Sequence, residues 1–201
     1  MTLSLARPWL NFDLGQDHSI LSWAINRPGF CVSRHISWRE VRDADFTHDL
    51  DVMAWLKNEL AATKREDHVV LLTSRDVGAY ETCSHQIEGI TATAVVTVGL
   101  SNGERVGTRR QGQNLNYGTV NIALQLSCRL SQGAMLEAIS IITQARTAAI
   151  LDHGPQLDGI GKITGTGTDC IALACPVSNG QPHDYAGLHT AIGEAIGYSV
   201  Y

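Results

Sequence analysis

The sequence has few charged and few aromatic residues, and this scarcity excludes several classes of protein. Of its 201 residues only 17% are Asp, Glu, Lys or Arg, and 6% are Phe, Trp or Tyr. Disordered chains combine high charge with few apolar residues, whereas 44% of this chain is hydrophobic. Fifteen basic against 20 acidic residues give a net charge of −5, which argues against a general surface for nucleic acid or anionic membranes. The composition is typical of a globular domain with one substantial core.

Long hydrophobic runs and signal-like segments are also missing. No apolar run approaches the roughly 20 residues that a membrane helix needs. The N-terminus has no basic segment that leads into an apolar one. Five cysteines, odd in number and irregular in spacing, are not typical of a disulfide framework. We therefore expect a soluble cytoplasmic protein, with residues 1–201 forming a single domain.

Hydrophobic patterning predicts three main helices and several strands. Apolar residues at helical spacing predict helices over residues 49–62, 131–152 and 185–200. Short extended pieces are predicted within the first 45 residues, and strands at 67–74, 90–99, 119–128 and 170–175. Because strands and helices do not alternate strictly, this order indicates an α+β fold with a mixed or largely antiparallel sheet.

Two glycine-containing segments are candidates for a functional loop. Residues 100–118, LSNGERVGTRRQGQNLNYG, form either a solvated loop or a functional one, since loops of this length are uncommon. The sequence GTGTD at 165–169 precedes a predicted strand, and its amides and hydroxyls could donate hydrogen bonds to a ligand. It is equally typical of a tight turn in which Asp169 binds its own backbone. Phosphate-loop and dinucleotide fingerprints both fail there, because no helix follows.

Metal-binding patterns are weak. Three close pairs of possible ligands occur, but no second pair with structural-zinc spacing accompanies them, and HExxH is absent. We therefore predict no metal site. The pairs are Cys31 with His35, Cys83 with His85, and Cys170 with Cys175.

Four longer blocks carry a family resemblance. They are VTVGLSNGERVG at 96–107, GTVNIALQLSCRLSQGAMLEAISIITQARTAAILD at 118–152, TGTGTDCIALA at 164–174 and YAGLHTAIGEAIGYSV at 185–200. In this order they resemble the adenosylcobinamide amidohydrolase (CbiZ-type) family of corrinoid salvage enzymes. TGTGTD followed by YAGLHTAIGEAIG is the most specific part, and the blocks span most of the chain from residue 70 onwards.

The resemblance implies a reaction. These enzymes hydrolyse the amide that joins the aminopropanol arm of adenosylcobinamide to a corrin propionyl side chain, which gives adenosylcobyric acid and 1-amino-2-propanol. The corrinoid is then a small-molecule substrate, and no cofactor is expected. Two alternatives stay open: a corrinoid-binding module without catalysis, and an unrelated structural α+β protein. The sequence also leaves open whether the chain forms a homo-oligomer.

Amide hydrolysis needs a base, donors for the oxyanion and an acid for the leaving amine. Asp169 is the first candidate for the base, and His189 could protonate the amine or orient Asp169. The backbone from Gly165 to Thr168, with the hydroxyls of Thr166 and Thr168, could supply the oxyanion donors. The residues expected to bind substrate are Asn102, Thr119, Asn121, Gly165, Gly167, Arg146 and Glu194.

The chain departs from the family pattern at one position. The family helix carries Thr-Glu-Ala-Lys where this chain has Thr143, Gln144, Ala145 and Arg146. Arg146 keeps the positive charge. Gln144 cannot serve as a carboxylate base or as a hard metal ligand, so its place in the fold bears on activity.

Overall fold

A computed structural model describes residues 1–42, 45, 50–108, 118–159, 161–178 and 180–201. Eight strands of this part of the chain build one mixed sheet, and four short strands form two small sheets. Together with the three helices they confirm the predicted α+β class. The elements are β1 (Thr2–Ala6), β2 (Trp9–Ser22), β3 (Gly29–Glu40), α1 (Val52–Thr63), β4 (Val69–Thr73), β5 (Tyr80–Ile87), β6 (Ile90–Val98), β7 (Gly103–Glu104), β8 (Val120–Leu126), α2 (Gln132–His153), β9 (Gln156–Leu157), β10 (Gly161–Lys162), β11 (Gly165–Thr166), β12 (Cys170–Pro176) and α3 (Ala191–Val200).

The long strand β2 organises the large sheet. The strand order is β4-β3-β2-β12-β8-β6-β5, and β1 pairs with the first half of β2. The second half of β2 pairs with β12 along the same edge. The pairs β3–β4 and β8–β12 are parallel, whereas the other pairs of this sheet are antiparallel. A change of register between Asp13 and His18, with Gly15 at a φ of 86°, separates the two halves of β2.

The sheet curls until strands that are not neighbours meet. Asn121 on β8 donates from Nδ2 to the carbonyl oxygen of Leu72 on β4 at 2.8 Å, although three strands lie between them in the sheet. Buried apolar side chains such as Phe12, Trp38 and Leu71 fill the inside of the curl. The curl therefore brings together β4 and β8, which no local pattern in the sequence connects.

Helices cover the outside of the curled sheet. On one part, α2 and α3 pack over a large cluster to which Ile122, Leu173 and Met135 belong. Elsewhere α1 packs through Leu56 and Leu60. One helix of the described chain, α2, is long and apolar enough to cross a membrane by length and composition alone, with a mean hydropathy of 1.3. A core helix that packs on its own sheet passes the same test.

The helix ends show how local sequence sets these boundaries. Asp51 precedes α1 and accepts hydrogen bonds from the amides of Met53 and Ala54, so α1 begins at Val52 rather than at 49, a residue outside the described part. Ser131 caps α2 by accepting from the amide of Ala134 at 3.2 Å, as the sequence predicts. The first two predicted helices are therefore confirmed to within a few residues.

The predicted start of the last helix is wrong. The helix begins at Ala191 rather than at 185, because Thr190 caps it by accepting from the amide of Gly193 at 2.9 Å. The preceding segment is held elsewhere, since the amide of Ala186 donates to Glu137 Oε2 on α2 at 2.7 Å. His189 consequently lies in an exposed turn before α3 and not on the helix.

Two strands of the large sheet were not predicted from the sequence, and two others are longer than expected. The extended pieces predicted near the N-terminus are parts of β2 and β3, which have 14 and 12 residues. Neither β1 nor β5 was predicted. Strand β5 reads YETCSHQI, forms the edge of the sheet and is largely exposed, so the alternation of buried and exposed residues that signals a strand is missing.

Candidate active site

A cavity of about 450 Å³ opens where β4, at one end of the curled sheet, approaches β8. Six segments line it: the residues after β2, those after β3, strand β4, the residue before β7, the start of β8 and the turn before β12. The lining residues of the described chain are Trp23, Ala24, Ile25, Val41, Arg42, Val70, Leu71, Leu72, Thr73, Ser74, Asn102, Gly118, Thr119, Asn121, Gly167, Thr168, Asp169 and Cys170.

The turn at residues 165–169 forms one side of this cavity. It begins with β11, which pairs with β7 so that Gly165 lies opposite Glu104. A Cβ atom on Gly165 would fall 2.5 Å from Asp169 Oδ2 and 3.4 Å from Arg146 Nη2. Only glycine therefore allows the carboxylate and the guanidinium to pack directly on the turn.

The carboxylate of Asp169 fixes the turn in place. Its Oδ2 accepts hydrogen bonds from Arg146 Nη1 and from the amide of Thr166, both at 2.9 Å. Its Oδ1 accepts from the amide of Val120 at 3.0 Å and from the hydroxyl of Thr166. Two carboxylate oxygens offer about four lone-pair positions, so these contacts occupy them all. Asp169, whose side chain is 8% exposed, thus ties the turn to α2 and to β8.

Because of these contacts, few hydrogen-bond donors of the turn at 165–169 remain available to a ligand. Both the amide and the hydroxyl of Thr166 are directed to Asp169, and the hydroxyl of Thr168 donates to the carbonyl of Gly118 at 3.2 Å. The hydroxyl of Thr119 lies 2.7 Å from that of Thr168. Within the described residues, no acceptor binds the amides of Gly167 and Thr168, which lie at the exposed tip of the turn. Two backbone amides, and not the two threonine hydroxyls, are therefore free to bind an oxyanion.

Two buried asparagines line the inner part of the cavity. Asn121 is fully buried, and its Oδ1 has no hydrogen-bond partner while its Nδ2 binds Leu72. Asn102 is 7% exposed, and its Oδ1 also has no partner. An unpaired buried polar atom costs about 1–3 kcal/mol, which a polar ligand could recover. The predicted residues Asn102, Thr119 and Asn121 are thus brought together at one cavity.

His189 and Glu194 are not brought to Asp169. The segment before His189 is anchored to Glu137, which precedes Arg146 by nine positions on α2. That separation is about 13 Å along the helix axis. Glu194 lines a different groove of about 460 Å³ between α2 and α3. Neither His189 nor Glu194 is among the described residues that line the cavity with Asp169, and their expected roles in catalysis and substrate binding stay predictions.

Gln144 lies in that same groove between α2 and α3. Arg146 follows it by two positions, which is a rotation of about 200° around the helix. Arg146 accordingly faces Asp169 while Gln144 faces the groove. Gln144, the residue at which the chain departs from the family pattern, therefore lies outside the cavity that Asp169 lines.

Sequence reasoning missed Trp23, which stands at the rim of the cavity. Its Nε1 donates to the backbone carbonyl of Asp169 at 2.8 Å, and the residue is 47% exposed. Cys170 also lines the cavity, but burial raises the pKa of its thiol to about 11. The thiol is therefore protonated at neutral pH and is a weak nucleophile. The only signal for Trp23 in the sequence is its position at the end of a strand.

The described residues contain no group of three or more His, Cys, Asp or Glu side chains that could hold a metal ion. Of the sequence pairs, Cys170 and Cys175 are both buried in β12, and burial raises the pKa of both thiols. His35 stacks its ring on that of His68, with 4.4 Å between the ring centroids.

Comparison with known proteins gives three findings. Residues 2–201 match the family described as adenosylcobinamide amidohydrolase. An uncharacterised protein of Methanocaldococcus jannaschii, MJ1613, is 40% identical over 89 residues, which are 41% of this chain and 32% of that protein. The chain thus spans about a third of the length of this curated relative. The crystal structure of the PH0078 protein from Pyrococcus horikoshii OT3 aligns with a TM-score of 0.43 and 11% identity, over 96% of this chain and 74% of that one.

Proposed function

Because the chain belongs to the adenosylcobinamide amidohydrolase family, we propose that it hydrolyses the amide between the aminopropanol arm and the corrin ring of adenosylcobinamide. The products are adenosylcobyric acid and 1-amino-2-propanol, and the reaction serves corrinoid salvage for cobalamin biosynthesis in the cytoplasm. The corrinoid is the substrate, and hydrolysis uses no bound metal or cofactor. The observation that carries this proposal is the turn at 165–169, in which Gly167, Thr168 and Asp169 line one cavity and the carboxylate of Asp169 binds the amide of Thr166.

The two amides suit the charge that develops during hydrolysis. When water attacks an amide carbonyl, negative charge accumulates on the carbonyl oxygen. The amides of Gly167 and Thr168 would donate to this oxygen. Asp169 holds the turn through contacts to Arg146 and Val120, so the donors need not be ordered during the reaction. Donors of this kind each contribute about a hundredfold to a thousandfold in rate.

Asp169 is the proposed base, because it is the one acidic residue among the described residues that line the cavity. Its lone pairs are occupied, but one donor, the hydroxyl of Thr166, can rotate away. A water molecule could then take that position and give its proton to Oδ1 as its oxygen bonds to the carbonyl carbon. The same proton would pass to the nitrogen as the carbon–nitrogen bond breaks. The remaining three hydrogen bonds would keep the carboxylate in place.

Incubation of the protein with adenosylcobinamide, followed by mass spectrometry of both products, tests the proposal. We expect adenosylcobyric acid and 1-amino-2-propanol in equal amounts, with and without a chelator. Corrinoid binding without either product would favour the alternative of a non-catalytic corrinoid-binding module. Turnover that a chelator abolishes and zinc or manganese restores would contradict the absence of a metal from the mechanism.

A further inference from the structure

The cavity is too small for a whole corrinoid. Its volume is about 450 Å³. At about 30 Å³ for each water-sized group, this space holds roughly 15 such groups, whereas the arm from the ring to its hydroxyl has about nine non-hydrogen atoms. A corrin ring with cobalt, its axial adenosyl group and its peripheral amides is several times larger. The volume therefore fits the arm and excludes the ring.

The chemistry of the cavity changes between its inner part and its rim. The inner part contains Asn102 and Asn121, two buried side chains whose Oδ1 atoms have no partner. The rim carries Trp23, which is fixed by its hydrogen bond to the carbonyl of Asp169 and leaves nearly half of its surface exposed. Unpaired acceptors match the amide N–H and the hydroxyl of the arm. An exposed indole matches the flat face of a large conjugated ring.

From this juxtaposition we propose that the aminopropanol arm enters the cavity, where Asn102 and Asn121 bind its donors, while the corrin ring stays outside and stacks on Trp23. The inference takes its substrate from the proposed function. It assigns Trp23 to ring binding, and it divides the substrate-binding residues into a subsite for the arm and a platform for the ring. The scissile amide then lies between them, beside the amides of Gly167 and Thr168.

Two partial ligands test the two subsites separately. Adenosylcobyric acid supplies the ring without the arm, and N-(2-hydroxypropyl)propanamide supplies the arm without the ring. Dissociation constants would be measured by calorimetry for the first and by NMR titration for the second, with Trp23→Ala, Trp23→Phe and Asn102→Ala. Tyr185→Ala is the matched control, because Tyr185 is 75% exposed and does not line the cavity. Melting temperatures would confirm that each variant is folded.

We expect Trp23→Ala to weaken binding of adenosylcobyric acid by about fivefold or more, as loss of an aromatic contact predicts. Trp23→Phe, which keeps a ring but not the N–H, should lose less. Asn102→Ala should weaken binding of the small amide by about fivefold, as loss of a hydrogen bond predicts. Each alanine variant should leave the other ligand nearly unaffected, and Tyr185→Ala should leave both unaffected.

Equal sensitivity of both ligands to both variants would overturn the inference, and so would an equal effect of Tyr185→Ala. Failure of the wild-type protein to bind either ligand would also overturn it. The expected binding pattern in a protein that does not cleave adenosylcobinamide would retain the two subsites and refute the proposed hydrolysis. If the protein cleaves adenosylcobinamide but neither Trp23→Ala nor Asn102→Ala affects binding of either ligand, the proposed hydrolysis stands and the two subsites are refuted.

Discussion

Asp169 holds the turn at 165–169 and is the one acidic residue among the described residues that line the cavity. Asp169→Asn keeps the shape of the side chain but removes the charge that takes a proton from water. We expect a folded protein that binds adenosylcobinamide and cleaves it at least about a hundredfold more slowly, the lower end of what a general base contributes. The measurements are turnover, corrinoid binding and melting temperature.

The pH–rate profile of Asp169→Asn separates a base from a group that only positions the turn. In the wild type, protonation of a base lowers turnover at low pH. Loss of that base should remove this decrease from the profile. If Asp169 only positions the turn, the fall in rate at low pH should persist while the melting temperature decreases, because the NH2 group of Asn must face two of the four donors around it. Near-normal turnover would remove Asp169 from the mechanism altogether.

Thr166 distinguishes direct attack by water from a covalent intermediate. Its hydroxyl donates to Asp169 Oδ1, so it either blocks a lone pair that water needs or is itself the nucleophile. We expect Thr166→Val, which keeps the branched shape, to retain turnover within about tenfold of the wild type and to lower stability by about 2 kcal/mol, as loss of a hydrogen bond to a charged group predicts. Steady-state kinetics and urea denaturation would measure both. Abolished turnover in a folded variant that Thr166→Ser restores would instead identify Thr166 as the nucleophile.

At the scale of elements, α2 presents one face to the groove with α3 and another to Asp169. Gln144 faces the groove with α3, and Arg146 faces Asp169. We therefore expect Gln144→Glu to fold normally and to maintain or slightly raise turnover, because the new charge lies outside the cavity that Asp169 lines. Kinetics and a melting curve would check this. Complete loss of turnover in the folded variant would show that the groove takes part in the reaction.

Arg146→Met is the contrasting variant on the same helix. It leaves Asp169 buried without its cation, and breaking a buried ion pair in this way costs about 3–5 kcal/mol. We expect a large fall in the free energy of unfolding and a loss of turnover, because the turn loses its link to α2. A variant as stable and as active as the wild type would show that the backbone amides alone hold Asp169.

The elements also show what the sequence could and could not predict. Strands β6, β8 and β12 are rich in Val, Ile, Leu and Ala, and α2 has a capping Ser131 and a helical spacing of apolar residues, so their local patterns suffice. The exposed edge strand β5 lacks such a pattern. The cap of α3, Thr190, is a local signal, but the contact between Ala186 and Glu137 that holds the preceding segment out of the helix is tertiary and is not visible in the sequence.

The candidate site was predictable only in part, for a similar reason. Motif and family resemblance single out Asp169, Asn102 and Asn121. They do not reveal Trp23, because it reaches Asp169 only through the pairing of β2 with β12. Nor do they show that Arg146 and Gln144 face different neighbours, or that His189 precedes α3 in an exposed turn, since these features depend on how α2 and α3 pack.

At the scale of the whole molecule, buried histidines couple stability to pH. His68 immediately precedes β4 and contacts β3. Its Nδ1 is 2.7 Å from the Ser37 hydroxyl, and its ring stacks on that of His35. Burial, followed by the nearby His35, lowers the pKa of His68 to about 4 from an ordinary 6.5. Burial also lowers the pKa of His18 inside the curl. Both side chains are therefore neutral in the folded protein at neutral pH.

The sign of the resulting pH dependence follows from which state binds the proton. Between pH 6.5 and 4 the unfolded chain protonates His68 more readily than the folded protein does, so the free energy of unfolding decreases as the pH falls through this range. The shift corresponds to at most about 3 kcal/mol at pH 4 relative to pH 7. Urea denaturation at pH 7, 5.5 and 4.5 would measure it. We expect His68→Asn, which can still bond to Ser37, to reduce this pH dependence, and His189→Gln, an exposed position, to leave it unchanged. An unaltered pH dependence in His68→Asn would show that other groups, with His18 the first to test, cause the loss of stability in acid.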